Sequence, residues 1–150
     1  ESNADISAIT VMMQKEVADR FSAVVNTKDY NALSIITQYR CDVIPVMKVP
    51  KNVFLPKPNV DSAVLQFRFK ETDPTIDESI FFPLVKACFR QRRKTILNNY
   101  SEYCEDKDLA RKELELSGID VKRRAESVTL EEFIRLYEVH IHESKGSCKD

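Results

Sequence analysis

Five cations lie close together around the stretch FRQRRKTILNN, which starts at Phe89. They are Lys86, Arg90, Arg92, Arg93 and Lys94. A helix would place all of them except Arg92 on one face, where like charges repel by about a few tenths of a kcal/mol per pair. A nucleic-acid backbone would turn this repulsion into attraction and release counterions. The spacing alone leaves two interpretations open, a solvated helix face and a contact surface for nucleic acid.

A second candidate is the loop VFLPKP, which carries an aromatic ring among prolines. Phe54 precedes Pro56, and three prolines within residues 50–58 stiffen the segment. An aromatic ring held in a stiff loop can stack on a nucleobase, a contact worth about 1–3 kcal/mol. The alternative is that Phe54 is buried under the loop, because buried Phe is common.

The remaining reactive residue types have no spacing that favours catalysis or metal binding. No His, Ser or Cys stands in a triad-like pattern, and no two cysteines form a CxxC pair. We therefore expect reduced thiols of a cytosolic protein, without a disulfide framework, and we predict no metal site. The residues concerned are Cys41, Cys88, Cys104, Cys148, His140 and His142.

Glycine content and hydropathy exclude several classes of function. The chain contains only Gly118 and Gly146, so it cannot build the glycine-rich turn that brings backbone close to a nucleotide-like cofactor. No apolar run approaches the roughly 20 residues that span a bilayer, and no membrane partner is expected. The net charge of −1 gives no global sign of a nucleic-acid partner, so any such signal must be local.

The first half of the chain has the pattern of an α/β sheet. Residues 8–14 form a continuous apolar run, which predicts a strand buried on both faces as in a parallel sheet. Pro45 has no N–H to donate to a sheet, so the next strand is predicted to be an edge strand or a bulged strand. The predicted segments are a helix at 15–24, a turn at 26–29, a helix at 30–39, and strands at 41–49 and 61–70.

The second half has a helical pattern to its end. We predict a helix over residues 80–100 with Pro83 in its first turn, and one over 106–117 that stops at Gly118. A capping box, Thr129-x-x-Glu132, starts the last helix. The expected organisation is the C-terminal remnant of an α/β domain (1–72), a small all-helical domain (73–143) and a disordered tail (144–150). Two or three strands cannot complete a doubly wound sheet, and the polar start followed at once by a strand suggests a truncated chain.

Four blocks of the sequence together resemble the KsgA-type ribosomal RNA adenine dimethyltransferases. They stand in the order and at the spacing of that family, and the resemblance extends over residues 9–133. The blocks are VMMQKEVADRF (11–21), TKDYNALSIITQYRCDV (27–43), VPKNVFLPKPNVDSAVLQF (49–67) and FRQRRKTILNN (89–99).

The resemblance implies the C-terminal strands and helices of a Rossmann-like methyltransferase sheet, followed by a helical domain. It implies an enzyme that transfers methyl groups from S-adenosylmethionine to two adjacent adenines near the 3′ end of small-subunit RNA. Phe54 would stack on the target adenine, and Pro56 would shape its loop. The cations that would contact RNA are Lys86, Arg90, Arg93 and Lys94. Arg92 would contact RNA or tie the two domains together. The family's donor site and its Asn-Leu-Pro-Tyr type motif do not occur here, so this chain alone is expected to bind no donor and to be inactive.

The expected partners are small-subunit RNA and the immature small ribosomal subunit. An unpaired sheet edge also predicts self-association of this chain. Three rival interpretations stay open: a macrolide-resistance methyltransferase acting on large-subunit RNA, a non-catalytic ribosome-binding module, and a structural remnant without function. The helix FRQRRKT and the block QKEVADR fit the first of these less well.

Overall fold

A computed structural model describes residues 5–146. These residues form an α/β structure with a three-stranded antiparallel sheet and six α-helices. The elements are β1 (Ala8–Gln14), α1 (Lys15–Phe21), α2 (Ala32–Arg40), β2 (Cys41–Val49), β3 (Ser62–Phe69), α3 (Glu78–Cys88), α4 (Ile96–Cys104), α5 (Lys107–Leu116) and α6 (Leu130–Gly146). Across residues 5–146, no helix is both long and apolar enough to cross a membrane.

The sheet has the order β1-β3-β2, and both outer strands run antiparallel to β3. The prediction of a parallel strand buried on both faces was wrong for β1, because its only strand neighbour among the described residues is antiparallel and most of its side chains are exposed. An apolar run gives no information about the direction of the neighbouring strand. The predicted irregularity at Pro45 is confirmed, since the pairing register shifts between Pro45 and Met47.

Two short helices pack beside the sheet. The turn between them is made by Asn26, which has a φ of 66° and is among the few residue types that tolerate the left-handed region. A reciprocal capping box between Asn31 and Ser34 starts α2. Ile35 on α2 is fully buried. Leu33, on the same helix, is 40% exposed.

The helical half forms its core from one side of each of α3 to α6. Side-chain caps from Asp77, Thr95, Asp106 and Thr129 satisfy the free N–H groups at the helix starts. The capping box of Thr129 and Glu132 is confirmed, as is Gly118 beyond the end of α5, where φ is 75°. The largest fully buried apolar side chains are Tyr100, Phe81, Phe133, Ile35, Leu84, Ile96, Leu114, Ile119 and Leu136.

The predicted helix over residues 80–100 was wrong, because two helices occupy this span. The first, α3, begins at Glu78, so Pro83 lies in its second turn rather than its first. It ends at Cys88, and α4 begins at Ile96. The intervening residues 89–95 form a connection of turns.

The sheet half and the helical half share a contiguous core. Tyr30 is buried in the helical half, and its hydroxyl donates to the Val128 carbonyl at 2.7 Å. Arg40 pairs with Glu78 and lies over the Phe82 ring at 5.0 Å. The division at residues 72 and 73 stays a prediction. The expected disorder from residue 144 was wrong for 144–146, which continue α6, while residues 147–150 lie outside the described part.

Candidate nucleic-acid interface

The proline loop connects β2 to β3 and is anchored at both of its ends. Lys51 starts a short 3-10 turn, and its backbone N–H donates to the Asp61 carboxylate at 2.9 Å. The Asp61 carbonyl in turn accepts the Lys15 N–H at 2.9 Å, which ties the loop to the start of α1. Pro56 follows a cis peptide bond. The loop is thereby held against the sheet while its tip remains in solvent.

Phe54 is partly exposed at the tip of this loop. Its neighbours Val53 and Leu55 are 65% and 99% exposed, so they do not cover it. The alternative of a fully buried Phe54 under the loop is therefore wrong for this structure. A partly exposed ring between exposed apolar neighbours is an arrangement on which a planar ligand can stack.

The basic residues are all exposed but do not share one helix face. Lys86 lies on α3, whereas Arg90, Arg92, Arg93 and Lys94 lie on the connection between α3 and α4. We call this connection, residues 89–95, the basic loop. The geometry predicted from a continuous helix was wrong, although the five cations remain grouped around the end of α3.

Asn99 holds the basic loop in place, a role that the sequence pattern did not predict. The side chain is 2% exposed. Its amide nitrogen donates to the Cys88 carbonyl at 2.8 Å and to the Gln91 carbonyl at 3.0 Å, and its oxygen accepts the Gln91 N–H at 3.2 Å. These contacts satisfy backbone groups where α3 has ended. The loop is therefore a fixed platform built from the helical core.

The cations of this surface differ in how they are paired. Arg90 lies 3.5 Å from Glu102. Arg92 donates to the Lys28 carbonyl at 2.8 Å and lies 3.8 Å from Glu126, so it connects the sheet half to the helical half. Within residues 5–146, Lys86, Arg93 and Lys94 form no ion pair. These three are the cations most available to an anionic ligand.

A cleft joins the basic loop to the base of the proline loop. One concavity is lined by Arg20, Lys28, Arg92 and Lys94, and a neighbouring one by Lys51, Asn59 and Asp61. Glu16, Lys28 and Asp29 line both, so the two concavities adjoin. Carboxylates also line the two concavities, so any attraction for an anion comes from the exposed cations beside them. These carboxylates are Glu16, Asp19, Asp29, Asp61 and Glu126.

Arg123 serves the internal structure rather than this surface. Its guanidinium makes two hydrogen bonds to the Glu132 carboxylate, at 2.8 and 3.0 Å, and its backbone carbonyl accepts the Ile96 N–H at 2.7 Å. The hydrogen bonds from Arg123 hold the pKa of Glu132 below its ordinary value. Arg123 thus links the start of α6 to the start of α4, next to the basic loop.

Comparison with known proteins decides the family. The family model described as ribosomal RNA adenine dimethylase matches residues 1–142. The chain belongs to the ribosomal RNA adenine dimethylase family. The resemblance inferred from the four sequence blocks is thereby confirmed.

Relatives of this dimethylase-family chain include two bacterial proteins named ribosomal RNA small subunit methyltransferase A. The one from Staphylococcus haemolyticus is 48% identical over 145 residues, which cover 92% of this chain and 49% of the relative. The one from Bacillus pumilus is 46% identical over 146 residues, which cover 93% of this chain and 50% of the relative. The chain therefore spans about half the length of the curated relatives that it matches.

Two solved structures share the fold of this family member. A dimethyladenosine transferase from Plasmodium falciparum superposes with a TM-score of 0.76 at 24% identity, covering 97% of this chain and 60% of that one. The 23S rRNA methyltransferase ErmE superposes with a TM-score of 0.59 at 23% identity, covering 89% of this chain and 55% of that one. At these identities the structures establish the fold alone.

Proposed function

We propose that this chain is the C-terminal, RNA-recognising part of an enzyme that dimethylates adenines of small-subunit ribosomal RNA. The methyl donor of the intact enzyme is S-adenosylmethionine, and the adenines are two neighbours near the 3′ end of that RNA. The observation that carries the proposal is the family match over residues 1–142, together with relatives named as small-subunit RNA methyltransferases. The partner is the immature small subunit in the cytoplasm, where bacterial subunits mature.

Phe54 is the proposed stacking platform for the target adenine. An adenine must leave its helical stack before its exocyclic amine can react, and an aromatic face offsets part of the lost stacking. The partial exposure of Phe54 and the anchoring of its loop at Lys51 and Asp61 support this role. Pro56 restricts the backbone beside the ring and so shapes the loop.

The basic loop is the proposed contact for the RNA backbone. Lys86, Arg93 and Lys94 are exposed, and Arg90 has only a long contact with an exposed carboxylate. Each cation that neutralises a phosphate releases counterions and steepens the salt dependence of binding. The adjoining concavities reach from the basic loop to Lys51, Asn59 and Asp61 at the base of the proline loop, whose tip carries Phe54. Arg92 has a second role, since it already bridges the two halves.

The residues of this chain do not fit a donor site. Gly118 ends α5 and Gly146 ends α6, so neither lies in a strand-to-helix turn of the sheet. A donor site of the usual kind needs such a glycine-containing turn. We infer that another part of the enzyme binds the donor and that this chain alone transfers no methyl group. In isolation the chain would act as a non-catalytic RNA-binding module.

RNA binding can be tested with a labelled hairpin that carries two adjacent adenines in its loop, titrated at several salt concentrations. Phe54→Ala should weaken binding by roughly 1–3 kcal/mol, whereas Phe69→Ala, which removes another exposed aromatic ring, should leave it unchanged. The double variant Arg93→Ala/Lys94→Ala should weaken binding and lower the salt slope by roughly 1 to 2. A matched double variant, Lys107→Ala/Arg111→Ala, removes the same charge from the exposed surface of α5 and should have little effect. Equal losses in test and control variants would contradict the proposed surface.

A further inference from the structure

Three potential metal ligands converge between the last three helices. Cys104 ends α4, Glu113 lies on α5 and His140 lies on α6. One ligand atom from each residue, the Sγ, a carboxylate oxygen and an imidazole nitrogen, lies within 4.8 Å of the other two. Tetrahedral zinc ligands at about 2.0–2.3 Å from the ion stand roughly 3.3–3.8 Å apart. Small side-chain movements would therefore bring the three atoms around one cation.

Glu113 is an unusual residue for the interior of a helical domain. Its side chain is 1% exposed, and among residues 5–146 its one basic partner is the His140 imidazole. Its neighbours are the Tyr100 hydroxyl, which donates to the carboxylate, His140 Nδ1 at 3.0 Å, and Cys104 Sγ at 3.9 Å. Burying a carboxylate is costly unless it is paired or coordinates a cation. A bound cation would offset the free energy that is needed to bury this carboxylate.

We propose that Cys104, Glu113 and His140 bind a zinc-like divalent cation that connects α4, α5 and α6. A thiolate and a carboxylate bring two negative charges and a neutral imidazole brings none, so a divalent cation makes the buried site neutral. Binding releases the thiol proton to solvent as the sulfur–metal bond forms. This ligand set of sulfur, nitrogen and oxygen suits zinc rather than magnesium or calcium.

The site has an opening to solvent and a second layer of contacts. A surface concavity beside Cys104 and His140 is lined by Tyr103, Leu109 and Ser144. It gives the cation access and leaves room for a fourth ligand such as water. Tyr100 donates to Glu113 and so orients the carboxylate, as outer partners of metal ligands commonly do. The site belongs to the helical core and is independent of the proposed RNA surface.

Cobalt titration of the 150-residue chain tests the site directly. A Cys148→Ser background removes the terminal thiol, so that a sulfur-to-cobalt charge-transfer band reports on an internal cysteine. We expect the band together with visible absorption typical of tetrahedral cobalt, and we expect zinc to displace both. Without such a band in this background, the proposal is overturned whether or not any further variant folds.

Variants then assign the ligands. Cys104→Ser should abolish the band, and His140→Gln should lower the zinc affinity at least about tenfold, since even outer partners of a ligand contribute 10–100-fold. Cys41→Ser and His142→Gln are matched controls that should leave binding unchanged. Far-UV circular dichroism verifies that each variant is folded. Retention of the band in Cys104→Ser would contradict the assignment, and the cluster would then be a hydrogen-bonded network without a cation.

Discussion

Replacement of Asn99 by Ala should loosen the basic loop and destabilise the whole helical half. The buried amide makes three hydrogen bonds, to Cys88 and Gln91. At about 1 kcal/mol net for each bond, the free energy of unfolding should fall by about 2 to 4 kcal/mol. The RNA affinity of the folded variant should also fall several-fold, because the cations of the loop lose their fixed positions.

Urea unfolding followed by circular dichroism measures the first effect, and titration of the RNA hairpin measures the second. Asn98→Ala is the matched control, since Asn98 is the exposed neighbour on the same helix and should cost less than about 0.5 kcal/mol. Asn99→Asp keeps the shape of the side chain but cannot donate to the Cys88 and Gln91 carbonyls and buries a negative charge beside them. It should therefore cost at least as much as Asn99→Ala. Equal stability of the Asn99→Ala and Asn98→Ala variants would refute the assigned role.

Three further predictions concern pH, self-association and the methyl donor. Arg123 lowers the pKa of Glu132, so this pair stabilises the fold above the unfolded pKa of about 4.3 and loses its effect as the pH falls through the folded pKa. Glu132→Gln should therefore lower the free energy of unfolding in urea by about 1 to 2 kcal/mol at pH 7, and by much less near pH 3. The exposed control Glu131→Gln should not show this pH-dependent loss. Met12 on the edge strand β1 is 53% exposed, so sedimentation should detect self-association of the chain. Met12→Lys should weaken this self-association, whereas the helix-surface control Leu33→Lys should not. A strictly monomeric wild-type chain would contradict this prediction. Calorimetric titration with S-adenosylmethionine should detect no binding, and saturable binding would mean that a donor site exists without the glycine turn.

Local signals in the sequence predicted several elements correctly. The Thr129 and Glu132 pair marks the start of α6, and Gly118 marks the end of α5, because caps depend on residues within one turn. Pro45 likewise predicted an irregular strand, because a proline cannot donate to the sheet wherever its neighbours lie.

Features that depend on distant residues were not predictable in this way. Residues 89–95 favour a helix by composition, and the helix is interrupted because Asn99 and the Arg123 carbonyl bind backbone groups on either side. The orientation of β1 depends on β3, whose paired residues lie 48 to 60 positions later in the chain. The Cys104, Glu113 and His140 cluster joins residues separated by 9 and 27 positions, which form no recognisable spacing.

The most direct test of the proposed function supplies the half of a curated relative that this chain does not span. A chimera would join this chain to the N-terminal half of the Staphylococcus haemolyticus relative, which is 48% identical over the matched residues. We predict that the chimera transfers methyl groups from labelled S-adenosylmethionine to adenines of unmodified small subunits, that Phe54→Ala strongly reduces transfer, and that Phe69→Ala does not. A folded chimera that binds the donor but methylates no small-subunit RNA would contradict the proposed function.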